Sequence, residues 1–149
     1  MSAGLEPGKE GGTVDDGQVR RLEAWLTAYG DHDRGTMLDS LAENAVWHVG
    51  GTHRLSGDYV GREAILRYFD AVREETSDSM RLEPLEVLAN ARHGAAFLRV
   101  TAERKGRRLD TVVADAFRFD DAGRIVEFWA HSADQAAIDA FWSAGGQER

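Results

Sequence analysis

The chain of 149 residues contains no cysteine, so it can have no disulfide framework, no thiol nucleophile and no zinc–thiolate centre. Positive charge is also scarce: 18 lysines and arginines stand against 26 aspartates and glutamates, a formal net charge of -8. Such a surface repels a phosphate backbone, and no nucleic-acid partner is expected. The one dense basic run, Arg104-Lys105-Gly106-Arg107-Arg108, reads as a solvated hairpin tip. No apolar run approaches the length of a membrane span, and the N-terminus lacks the basic-then-apolar pattern of a secretion signal, so a cytoplasmic protein without a membrane partner is the expectation. The five histidines are scattered without ligand spacing, and neither a metal nor an organic cofactor is expected. Internal repeats are lacking too.

What is present suits one α+β domain over residues 17–144, long enough to bury a core without cross-links. Residues 1–16, rich in glycine and charge, and residues 145–149 read as tails with too little apolar surface to offset the entropy of ordering. Val19, Leu22, Trp25, Leu26 and Tyr29 recur at helical spacing up to Gly30, with Asp15 or Asp16 placed to cap the helix. Asp33 opens a second, shorter helix with Met37, Leu38 and Leu41 on one face, and Ala45–Val49 reads as a strand stopped by Gly50-Gly51. A loop from Thr52 to Val60 holds His53, Asp58 and Tyr59; a third helix follows Gly61 with Ala64, Ile65, Tyr68, Phe69 and Val72 inward. From Met80 the period changes to that of strands, at Met80–Leu88, Ala95–Arg104, Leu109–Phe119 and Arg124–His131, an antiparallel meander. Asp134 then caps a short last helix carrying Ile138, Phe141 and Trp142.

One residue conflicts with this pattern. In Thr111–Phe119 the alternation puts Asp115 on the same face as Val113, Phe117 and Phe119. A carboxylate on an apolar face is costly, so Asp115 is neutral, paired (Arg99 on the neighbouring strand is the candidate), or beside a wet cavity.

Together Ala45–Gly50, Leu55–Ile65, Asp115-Ala116-Phe117-Arg118-Phe119 and Gly123–Trp129 resemble the nuclear-transport-factor-2-like superfamily, in particular its SnoaL-like and ketosteroid-isomerase-like members, over roughly residues 18–143. The resemblance implies a cone-shaped barrel of one strongly bent, mainly antiparallel sheet wrapped around three N-terminal helices, with a short C-terminal helix. It also implies an apolar pocket for a small apolar molecule, and a homodimer formed through the sheet's outer face. The superfamily includes isomerases, polyketide cyclases, dehydratases, epoxide hydrolases and proteins that only bind, so the reaction must be read from the site.

Asp115 stands where ketosteroid isomerases place an acid that an apolar site holds neutral as a hydrogen-bond donor. Their oxyanion-binding tyrosine falls nearest Trp25, and their base falls at Val49 or, with a one-residue shift, at His48. The acid of the polyketide cyclases falls at Ala130. The Asp-Arg-Asp network of the epoxide hydrolases finds Asp115 and Arg99 but no second acid, since Asp58 is placed in a loop. The expected catalytic groups are therefore Asp115 and His48, and the expected substrate-binding set is Trp25, Tyr29, Trp47, Tyr59, Phe69, Arg99, Phe117, Phe128 and Ala130. Acid/base chemistry on an apolar or polycyclic substrate is the first reading. A noncatalytic apolar-ligand binder is the second, and an epoxide-opening hydrolase the third.

Overall fold

The computed structural model describes residues 13–143. The expected tails fall almost wholly outside the described residues. Helix α1 (Asp16–Asp31) begins where the Asp15 carboxylate accepts the Gln18 N–H at 3.0 Å, and the Asp15 N–H is itself tied to the Ala89 carbonyl at 2.9 Å. The helix runs past Gly30 and ends at His32, whose left-handed backbone (φ 62°) returns its N–H to the last turn. Asp33 caps α2 (Arg34–Ser40) by accepting the Thr36 N–H at 3.1 Å. Leu41, expected on that helix, instead opens strand β1 (Leu41–Val49) and is fully buried there.

The supposed loop before the third helix contains a strand, β2 (Gly57–Val60), so Asp58 lies on a sheet edge. Helix α3 (Arg62–Glu75) follows, and then β3 (Arg81–Ala89), β4 (His93–Arg104), β5 (Arg107–Phe119), β6 (Ile125–Ser132) and α4 (Gln135–Ser143). The six strands form one wrapped sheet in the order β2-β1-β6-β5-β4-β3. The last four make the expected antiparallel meander, whereas β1 joins β6 in parallel.

Register decides which side chains meet the helices. Asp115 lies opposite Ala96 on β4 and Ala130 on β6, and Phe117 lies opposite Phe128. Val113, Phe117 and Phe119 are buried, as are Ala96, Leu98, Val100 and Ala102 on the same face of β4. The alternate positions Phe97 and Val112 are among the exposed large apolar residues, so Phe97 belongs to the outer face and not to the core. A bulge between Arg118 and Phe119 sets Ile125 opposite Phe119, where both are buried.

One expectation for the basic run changes. Arg104 is not solvated: its side chain is fully buried, with Nε on Glu75 at 3.0 Å and an N–H donating to the Phe141 carbonyl at 3.2 Å. It ties α4 to the end of the barrel where β4 stops.

Close packing of α1 on the sheet depends on Gly94. A Cβ built there would lie 2.7 Å from Leu22 Cδ1 and 2.8 Å from Phe119 Cζ, both in the core. Gly94→Val should therefore cost roughly 1–3 kcal/mol of stability, read as a lower urea midpoint at unchanged slope.

Candidate functional site

The strand directions bring the C-terminal ends of β1, β4 and β6 and the N-terminal ends of β3 and β5 to one end of the barrel. A cavity of ≈ 140 Å³ lies there, bounded by α1, α3, all strands except β2, and α4. Its walls are largely aromatic. Trp47 stacks on Phe128 with centroids 3.9 Å apart, and Phe69 packs edge-on against Trp25, Tyr29 and Trp47 at 5.8, 5.4 and 5.4 Å.

Asp115 is the acid in this wall. Among the described residues its carboxyl has no hydrogen-bonding or ionic partner, and it borders the cavity. Burial alone pushes its pKa from 3.8 up to about 8. Opposite it, Ala130 contributes only a methyl group, which leaves space above the acid.

Two phenols share the cavity. Tyr29 comes from the last turn but one of α1, and Arg73 sits over its ring at 4.4 Å. Tyr68, on the inward face of α3, has its pKa raised first by burial, with smaller contributions from Tyr29, Tyr59 and Asp115. Both hydroxyls therefore remain protonated donors. Tyr68 was legible only as an inward aromatic; its hydroxyl makes it a site residue. His53 was also passed over. Its ring borders the cavity beside Trp142, its Nδ1 accepts the Leu55 N–H at 3.1 Å, and burial lowers its pKa, which leaves a neutral ring with the proton on Nε2.

Trp25, Tyr29, Trp47, Phe69, Phe128 and Ala130 line the cavity. Four other expected residues do not join Asp115. Phe117 is buried beneath the cavity wall and not exposed to it. The Tyr59 hydroxyl donates to the Leu55 carbonyl at 2.7 Å, and its ring lies behind Tyr68 at 4.9 Å. Arg99 points outward because inward positions on β4 are even-numbered, and it binds Asp110 through two hydrogen bonds of 2.9 and 2.7 Å. No Asp-Arg-Asp network forms around Asp115 among the described residues.

His48 follows Trp47 on β1, and its ring therefore lies on the other face of the sheet. There Nδ1 meets Asp58 at 2.8 Å, Nε2 meets Glu127 at 2.7 Å, and the ring stacks on Trp129 at 5.6 Å. Carboxylates only accept, so both ring nitrogens donate and the ring is an imidazolium. The Glu127 bond, then the Asp58 bond, raises its pKa above the ordinary 6.5. The ion cluster joins β2, β1 and β6 on the outer face; His48 also borders the cavity, but both of its ring nitrogens are engaged by these outer carboxylates.

Two pH dependences follow. For Asp115 the folded pKa lies above the unfolded one, so stability is complete below about pH 4 and declines as pH rises towards about 8. Asp115→Asn should then stabilise the protein by roughly 2–4 kcal/mol at pH 7, and by nothing near pH 3.5, in urea titrations. The His48 cluster also stabilises below pH 6.5 and loses that contribution as pH rises through the elevated folded pKa. Its low-pH limit is set by Glu127, whose pKa is held below 4.5 chiefly by the bond from His48. The stability deficit of His48→Asn relative to the parent should thus shrink between pH 6 and pH 9; a deficit independent of pH would exclude the imidazolium.

Residues 22–128 match the SnoaL-like domain family. Among solved structures, Bal32a from a soil-derived mobile gene cassette is 32% identical, with a TM-score of 0.81 over 85% of this chain and 97% of its own. An NTF2-like protein of unknown function from Burkholderia pseudomallei is 21% identical, with a TM-score of 0.75 over 85% of this chain and 98% of its own. IdmH from Streptomyces antibioticus, provisionally assigned as a polyketide cyclase, is 19% identical, with a TM-score of 0.66 over 81% of this chain and 95% of its own. The last two likenesses concern the fold alone, and no curated protein matches the chain. With residues 22–128, well over half of the chain, inside the family match, the chain belongs to the SnoaL-like domain family.

Proposed function

We propose that the protein is an acid/base enzyme that moves a proton within a small apolar substrate, as in an isomerisation. The observation that carries this reading is the unpartnered carboxyl of Asp115 in an aromatic cavity, with a pKa of about 8. A proton-transfer group works best when its pKa lies near the working pH, because both of its forms are then available. In its ionised form Asp115 takes a proton from the carbon next to a carbonyl group. The C–H electron pair becomes a carbon–carbon double bond, and the carbonyl π electrons move to oxygen. Tyr68 is the donor suited to that oxygen, since burial keeps its hydroxyl protonated and it is near enough to Asp115 for a carboxylate charge there to raise its pKa further. When the substrate carries a β,γ carbon–carbon double bond the intermediate is a dienolate: protonated Asp115 returns the proton to its γ carbon, the oxygen electron pair re-forms the carbonyl, and the carbon–carbon double bond is left conjugated with it.

A binding protein is the second reading, favoured by Trp25 and Ala130 standing where related enzymes place a tyrosine and an acid. Exchange of α-hydrogens of cyclohexenone in heavy water separates the two. The enzyme reading expects catalysed exchange whose rate rises with pH and levels off above about 8, a loss of roughly 100-fold or more in Asp115→Asn, and about 10-fold or more in Tyr68→Phe. Ligand binding without exchange by the parent protein would leave only the binding reading.

A further inference from the structure

The cavity limits its ligand by size and by charge, and the two limits have separate structural causes. At ≈ 140 Å³ it is comparable to cavities of about 150 Å³ that hold a single benzene ring, and well below the roughly 300–1,000 Å³ of pockets for larger ligands. The size limit depends on α4. Ile138 and Trp142 of this helix face the cavity, and the helix is held at its middle and near its C-terminal end. The Thr52 N–H donates to Asp139 at 3.1 Å, and Arg104 donates to the Phe141 carbonyl at 3.2 Å.

The charge limit comes from what lines the walls. Among the described residues no lysine or arginine borders the cavity, the His48 ring is spent on two outer carboxylates, and His53 is kept neutral by burial. A carboxylate or phosphate on the ligand would lose its hydration and find no cation, beside an acid that would repel it. A ligand ammonium would need Asp115 ionised and would form a buried ion pair, whose desolvation offsets its attraction. A neutral carbonyl needs neither: its oxygen accepts from a phenol or from the protonated carboxyl, and its ring takes the aromatic walls.

We propose that the site selects a neutral carbonyl compound of a single ring, rejecting fused-ring compounds because α4 closes the space and rejecting anions of equal size because, among the described residues, no lysine or arginine borders the cavity and the His48 ring is already paired with two carboxylates. The ligand class rests on the acid/base reading for its carbonyl, but the size and charge limits hold for binding whether or not a reaction follows.

Trp25 and Trp47 in the wall report binding through their fluorescence. The expected results at pH 7 are saturable quenching by cyclohexenone, binding of 1-tetralone weaker by about 10-fold or more, and binding of benzoate roughly 100-fold or more weaker than benzamide of the same size. Trp142→Ala and Ile138→Ala should each narrow the gap between tetralone and cyclohexenone while leaving that between benzoate and benzamide in place. The Ile138 variant serves alone if the Trp142 variant does not fold. Tetralone or benzoate binding as tightly as its counterpart, or no binding of cyclohexenone, overturns the proposal. Selectivity that persists while α-hydrogen exchange is absent supports the ligand limits and removes the catalytic reading instead.

Discussion

The antiparallel register of β5 against both of its neighbours is the constraint on which the site depends. It places Asp115 opposite Ala96 on one side and Ala130 on the other, two residues too small to cover a carboxyl and unable to bond to it. A slip of one residue on β5 would send Asp115 to the outer face and bring Arg118 and Val112 inward. The hydrophobic set of the strand forbids this, because Phe117, Phe119 and Val113 would leave the core together. The acid is thus held in an unfavourable place by the favourable burial of its strand neighbours.

That arrangement has an energetic signature. The apolar surroundings that raise the Asp115 pKa also make its ionised form costly, and the cost is borne by the rest of the fold. Functional groups in natural proteins often sit where a substitution would improve stability. The outer face shows the opposite use of charge: His48, Asp58, Glu127 and Arg118 satisfy one another beside solvent and hold edge strand β2 to the sheet.

The fold was legible in the sequence because long segments with a clear period, such as Val19–Tyr29 and Thr111–Phe119, declare their buried face directly. Short or mixed segments did not. Leu41 fits the apolar face of α2 by spacing, but it opens a strand, and four residues of β2 were hidden in a polar stretch. In the site, Asp115 could be found because it breaks the pattern of its own strand. Arg99 could not be placed, since its direction depends on the pairing of β4 with β5, and alternation alone fits both faces. The phenol of Tyr68 and the ring of His53 gave no signal of their own: an inward tyrosine looks like core, and a loop histidine has no period. Arg104 was misjudged because its neighbours are charged, while its burial is created by Glu75 and the C-terminal helix.

The parallel pairing of β1 with β6 has a consequence for how the protein comes into being. It sets Trp47 beside Phe128, joining segments that some eighty residues of chain separate. Such distant contacts are entropically late, since the loop must close before the strands reward it. During synthesis α1, α2, α3 and β1 emerge long before β6, and the aromatic wall of the cavity can form only after nearly the whole domain has left the ribosome. Until then β1 can pair only with β2 and its other edge stays open, with Trp47 lacking its stacking partner, so early assembly is when the chain is most open to association with other chains.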